Sequence, residues 1–334
     1  MTRLVSLASL LLAAALATPS LARAQEEQPA AARATPDTLL KLAYSLRRKG
    51  EFGAASAIFD QLLRQLDRKD ARRGDVVREA AELHAAAGKP VRALLTYRRN
   101  HHVTSEVDLL LEMGASDRKR WEEALTVARL VHYARGEILA LARLGRHEEA
   151  LQRLETYGGR FVRLKAEVLA AQGRHREAAA VYASLEDFFT QAQELQAAGN
   201  PTAARRAFQD AVVQLEFSVK HESKPAVVRC RRQLEQAPDG ITRERARLAL
   251  AEAYGGFALD YRRLAQCYVL AGKDRQAAAA FARNAARFYR QQQQMLEDER
   301  GGGDAFGRER VKALGLPGTI AETEAEAERY GTAR

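Results

Sequence analysis

Cys230 and Cys267 are the two cysteines of this 334-residue chain, and seven histidines join them as side chains suited to redox, nucleophilic or metal chemistry. The histidines are His84, His101, His102, His132, His147, His175 and His221. His147 and His175 each follow a Gly-Arg dipeptide, so they occupy one repeated position after a turn. His101-His102 could take a transition metal, but no cysteine or second histidine cluster supplies the remaining ligands of a zinc site at workable spacing. The run Gly301-Gly302-Gly303-Asp304-Ala305-Phe306-Gly307 follows a helical pattern rather than a strand and reads as a linker, not a phosphate cradle. Acid pairs such as Glu148-Glu149 fall on an exposed helix face. No Ser, His and Asp set is anchored by a recognisable motif. The expectation is a chain without a reaction centre, cofactor or metal.

The elements that carry these residues are helices. Hydrophobic residues make up 46% and charged residues 29%, which excludes a disordered chain. Pro numbers only 8 and Gly 22, while Ala, Leu, Arg, Glu and Gln, the strong helix formers, dominate. Extended runs of Val, Ile and Thr are missing, so the fold class expected is all-α.

The start of the chain has the three parts of a secretory signal peptide. A basic Met1-Thr2-Arg3 precedes an apolar run from Leu4 to Ala17, then Thr18-Pro19-Ser20 and an Ala22-Arg23-Ala24 cleavage site. The apolar run is shorter than the roughly 20 residues that span a membrane. Residues 1–24 are therefore expected to be removed and the mature protein to reside in a bacterial periplasm. Removal of Arg3 and Arg23 lowers the formal charge from +10 to +8. The stretch from Leu296 to the end holds nine acids and six bases, so the basic surplus lies in the body of the chain. That surplus favours acidic partners. Nucleic acid is not expected outside the cytoplasm.

Self-similarity organises the rest. An amphipathic helix ends at Gly, and a second helix follows with Ala and then a large apolar residue four positions later. The units are Leu39–Leu46 with Gly50, Ala55 and Phe59; Val77–His84 with Gly88, Ala93 and Tyr97; and Leu141 with Gly145, Ala150 and Leu154. They continue with Val162–Leu169, Gly173, Ala178 and Tyr182; Phe188–Leu195, Gly199, Ala204 and Phe208; and Tyr261–Tyr268, Gly272, Ala277 and Phe281. Small residues within the first-helix stripe (Ala43, Ala81, Ala166, Ala192, Ala265) let a partner helix approach closely. One such pair cannot bury its stripe alone, so neighbours must stack.

This layout resembles the tetratricopeptide repeat family over roughly Pro36 to Met295. The resemblance implies an α-solenoid of antiparallel helix pairs wound as a right-handed superhelix. The Ala spacings are irregular, with 38 residues from Ala55 to Ala93 but 28 and 26 over Ala150–Ala178–Ala204, against the family's usual 34. The family's Trp and closing Pro are absent. The sole Trp, Trp121, heads a second helix with Ala124 and marks a degenerate unit at Leu109–Val131. The organisation expected is a disordered mature start over 25–35, the array over 36–300, a flexible linker over 301–318, and a short acidic helix or tail over 319–334. Thr319-Ile320-Ala321-Glu322 is a capping box that would start this last helix, expected to dock loosely. Lys220–Lys224 with Pro225 reads as a boundary inside the array.

In the family the first helix of each pair lines the inner wall. Carried over by position, the resemblance places Arg47, Arg48, Arg78, Arg135, Arg163 and Arg262 on that wall, with Tyr44 and Phe189 as apolar anchors. The family's chaperone-tail clamp needs Lys and Asn, the Asn after the small stripe residue; Tyr44, Glu82, Leu139, Glu167, Gln193 and Gln266 stand there instead, so a chaperone C-terminus is not implied. Cys230 and Cys267 are expected in helices separated by one intervening helix, neighbours in a stacked array, and are either bridged in an oxidising compartment or buried, inert thiols. The expected function is non-enzymatic: a periplasmic scaffold, not membrane-spanning, that binds a protein or peptide segment, acidic by charge, within a cell-envelope assembly. The alternative is an Arg-rich surface that binds an anionic envelope polymer or lipid.

Overall fold

The computed structural model describes residues 35–238, 240–297 and 305–332. The expected signal peptide and the mature start up to residue 34 lie outside the described residues. The first helix, α1 (Pro36–Lys49), shows how local sequence sets the elements. The Thr35 hydroxyl caps it by accepting from Thr38 N–H at 3.4 Å, Pro36 opens it, and Asp37 sits in its first turn. It ends where Gly50 takes φ 83°. There Gly50 N–H donates to Arg47 C=O and Glu51 N–H to Leu46 C=O, both near 3 Å. This left-handed turn needs Gly because a Cβ is strained there. The same turn recurs at Gly88, Gly145, Gly173, Gly199 and Gly272, all with positive φ.

Helix pairs follow in order: α2 (Phe52–Gln65), α3 (Arg73–Ala86) with α4 (Pro90–Arg99), and α5 (Val103–Met113) with α6 (Lys119–Leu130). Next come α7 (Ala134–Arg143) with α8 (His147–Thr156), α9 (Val162–Ala171) with α10 (His175–Ser184), and α11 (Phe188–Ala197) with α12 (Pro201–Ser218). Each packs chiefly on its sequence neighbours, and no strand occurs among the described residues. The protein is an all-α, solenoid-like array. The crossing alanines Ala55, Ala93, Ala124, Ala150, Ala178 and Ala204 are all buried, as are Phe59, Tyr97, Leu154, Tyr182 and Phe208 beyond them. Each such large side chain contributes about 1.5–3 kcal/mol by leaving water. In the last pair the register moves by one: Ala278 is buried while Ala277 is half-buried.

The C-terminal third departs from the hairpin rhythm. The boundary expected at Lys220–Lys224 is instead continuous helix, in which a π-helical turn (Val219–Ser223) joins α12 directly to α13 (Lys224–Gln236). Pro225 has no N–H to give the preceding turn, and the wider turn takes up the change of register. Asp260 fastens it by accepting from the Ser218 and Ser223 hydroxyls at 3.3 and 2.5 Å. Two long helices follow, α14 (Gly240–Leu270) and α15 (Arg275–Glu297). Part of the expected flexible linker is ordered as α16 (Ala305–Ala313). The final helix, α17 (Leu316–Thr332), starts three residues before the expected capping box, and it docks firmly. Leu316, Ile320, Thr323 and Ala327 form a buried stripe at helical spacing, and Ala327 meets Ala265 and Ala282. The sequence alone suggested a loose tail because its charges hide this narrow stripe.

The two ends of the array meet. Glu244, near the start of α14, forms ion pairs with Arg47 and Arg48 of α1. Arg245 reaches Asp75 of α3 at 3.5 Å. Helix α16 also lies against α1, with the Ala305 Cβ 2.9 Å from where a Cβ on Gly50 would stand.

Candidate functional site

Closure of the array sorts the expected inner-wall residues into three groups. Tyr44, Arg47 and Phe189 belong to the interior, which corrects their expected role as groove contacts. Tyr44 packs edge-on against Phe59 at 5.7 Å and donates to Glu79 at 3.4 Å, and burial pushes its phenol up to about 12. Arg47 is only 1% exposed; it donates to Glu79 at 2.9 Å, pairs with Glu244, and lies 4.6 Å over the Tyr44 ring. Phe189 packs on Phe208 at 6.2 Å with the Arg263 guanidinium over its outer face. The positional rule failed at these places because the wall is covered by other parts of the same chain.

Arg48 and Arg262 form the second group, on the wall but occupied. Arg48 donates from Nε and Nη2 to Glu244 at 3.2 and 3.1 Å. Arg262 donates from Nε and Nη2 to the two carboxylate oxygens of Glu326 at 3.1 and 2.9 Å, and from Nη2 to Glu322 at 3.2 Å. Glu326 and Glu322 stand one turn apart on α17, so a single guanidinium reads two acids of a docked helix.

Arg78, Arg135 and Arg163 form the third group and remain open. Arg78 (side chain 59% exposed) donates to Asp75 at 2.8 Å, and Arg163 (57%) to Asp187 at 2.6 Å. Asp187 also caps α11 by accepting from Thr190 N–H at 3.2 Å. Burial raises its carboxyl, but bonds from Arg163 and Thr190 outweigh that and hold it below the ordinary carboxylate range. Arg135 is exposed, bonds to Tyr133, and faces Asp108 and Glu167. Near Arg78, burial and then Glu79 push the Glu82 carboxyl up. Arg135 and Arg163 both face Glu167, so these first helices carry a strip of mixed charge with exposed guanidiniums. Such a surface can hold carboxylates by paired N–H donors.

The cysteines are free. Cys230 packs with Tyr254 and Phe257, whereas Cys267 packs with Phe208 and Leu264. Phe257 and Cys267 are ten residues apart on α14, about 15 Å along the axis, far beyond disulfide reach. The bridge left open by the sequence is therefore not made. His147 and His175 both begin second helices, as their repeated position implied. Among the described residues, no three His, Cys, Asp or Glu side chains converge as metal ligands.

Sequence reasoning missed Glu244, Glu322 and Glu326 as the acids that cover the wall. A signal was available in the ladder Glu322, Glu324, Glu326 and Glu328 on a segment of opposite charge to the array. No protein-family profile matches this chain, and no curated protein sequence matches it. No helix among the described residues is long and apolar enough to cross a membrane.

Proposed function

We propose that this protein is a non-enzymatic, tetratricopeptide-like scaffold of the bacterial periplasm, exported by its leader, that holds an acidic helical segment of a partner protein on the open mid-array wall. The observation that supports this reading is the grip of Arg262 on Glu322 and Glu326. The wall already binds an acidic helix supplied by its own chain, through a guanidinium at a first-helix position. Arg78, Arg135 and Arg163, first-helix arginines as Arg262 is, are exposed, Arg78 and Arg163 pairing only with nearby surface acids. A partner helix with acids one turn apart would meet them as α17 meets Arg262. Anchoring would rest on a few such charged contacts rather than on area. The partner would belong to a cell-envelope assembly.

The reading is tested by a photo-crosslinking residue at Leu139 in the exported protein, with and without the changes Arg78→Glu, Arg135→Glu and Arg163→Glu. A discrete crosslinked partner that disappears in the triple variant is expected. Equal crosslinking in both, or a mature N-terminus that still carries residues 1–24, would reject the reading.

A further inference from the structure

Away from the inner wall, the second helices of the first two pairs enclose a cleft of about 700 Å³ floored by α3. Arg64 of α2 and Arg92 and Arg99 of α4 line it together with Arg73, Asp60 and His84. His84 is two residues from Glu82 and so points to the opposite side of α3 from the inner wall. Arg73 is consumed structurally: it donates to Leu63 C=O, Leu66 C=O and Asn100 Oδ1 at 2.7–2.8 Å. Asp60 faces His84 Nε2 at 3.2 Å. His84 itself is 3% exposed, and its Nδ1 is buried without a hydrogen-bond partner among the described residues. Arg64, Arg92 and Arg99 are exposed, and none pairs with a carboxylate among the described residues.

The rest of the array gives the contrast. Further along, several arginines of the second helices are paired with acids. Arg98, on α4 itself, meets Glu106 and Glu123; beyond it Arg120 meets Glu123, and Arg129 and Arg153 meet Glu137. In the first cleft three exposed guanidiniums gather without a carboxylate partner among the described residues, beside Asp60 and a buried polar ring that Asp60 faces. Concentrating like charge this way costs stability unless an anion offsets it.

We propose that this cleft is a binding site for a phosphorylated group. A carboxylate has two oxygens and satisfies one guanidinium fork well. Three guanidiniums around one cleft call for the oxygens and double charge of phosphate. Arg92 and Arg99 stand seven residues apart on one helix face, about 10 Å along the axis. The ligand therefore carries more than one phosphate or a phosphate with a flanking polar group. A soluble phosphorylated compound and a lipid headgroup share this chemistry.

The test uses the full chain at low salt, titrated calorimetrically with sodium pyrophosphate. A second arm floats it with phosphatidylglycerol–phosphatidylcholine vesicles against pure phosphatidylcholine. The variant Arg64→Glu/Arg92→Glu/Arg99→Glu alters only exposed side chains; the milder Arg64→Gln/Arg92→Gln/Arg99→Gln covers a folding defect, checked by circular dichroism. Arg206→Glu/Arg229→Glu/Arg232→Glu, also exposed, matches the charge change elsewhere. Roughly tenfold or greater weakening in the cleft variants but not in the control is expected. Loss confined to pyrophosphate assigns a soluble ligand, and loss of flotation a headgroup. No binding in either arm, undiminished binding by the cleft variants, equal loss in the control, or equally strong competition by polyglutamate would overturn the proposal.

Discussion

Arg262 on α14 and Glu326 on α17 form a two-point ion pair, with Nε and Nη2 meeting the two carboxylate oxygens at 3.1 and 2.9 Å. It joins the end of the chain to the array at a half-buried spot, and Glu322 extends it. The guanidinium is held even more firmly charged than usual, because the Glu326 bond outweighs the effect of burial. Replacing Arg262 with Ala leaves Glu326 facing apolar surroundings without its donor. About 2 kcal/mol of docking should be lost. Hydrogen exchange over residues 316–332 should accelerate by more than tenfold while α1–α10 stay protected; unchanged exchange would show that the apolar stripe alone docks the helix.

Glu137 should contribute to an acid sensitivity of the array. Its buried carboxylate accepts from Arg129 Nε at 3.0 Å and from Arg153 Nε and Nη2 at 2.9 Å. Burial raises it, but the two guanidiniums win and hold it below the usual glutamate value. A folded-state value below the unfolded one, about 4.3, stabilises fully above that value. The stabilisation is lost as pH falls through the folded value. Glu123, held low by Arg98 and Arg120, acts with the same sign. Glu82 is raised and acts with the opposite sign. The thermal midpoint should therefore fall as pH drops from about 5 toward 3. Glu137→Gln should flatten this fall and cost about 2 kcal/mol at neutral pH. A variant with the wild-type slope would remove Glu137 from the acid response.

Gly114 and Trp121 share one volume. A Cβ on Gly114 would lie 1.9 Å from Trp121 Cδ1, and the indole N–H donates to Leu111 C=O at 3.0 Å. Gly114→Ala must displace the ring and break that bond, at about 2–3 kcal/mol. As this is the sole tryptophan, its emission should shift to the red. An unshifted spectrum with wild-type stability would contradict the packing described.

Thiol reactivity should separate the cysteines. Burial pushes the Cys267 thiol up to about 12, whereas Cys230 is half-buried. Native protein should release one equivalent with a disulfide reagent at an observable rate and the second only on unfolding. Finding both thiols oxidised in exported protein would contradict the separation along α14.

The helix pairs were legible in the sequence because their causes are local. The Gly turn, the crossing Ala and the aromatic four residues on act within one hairpin, so Gly50, Ala55 and Phe59 announce their roles without the rest of the chain. Even Trp121 with Ala124 sufficed to mark the degenerate pair α5–α6. What tertiary structure decided was which parts of the wall are free. Arg48 and Arg262 have the residue types and positions of open contacts, yet their acids come from Glu244 and Glu326, 196 and 64 residues away. Charge pairing over such separations leaves no periodic trace, because it depends on how small rotations between successive hairpins add up. The same holds for the cleft of Arg64, Arg92 and Arg99, where three ordinary surface arginines come together only because α2 and α4 flank α3.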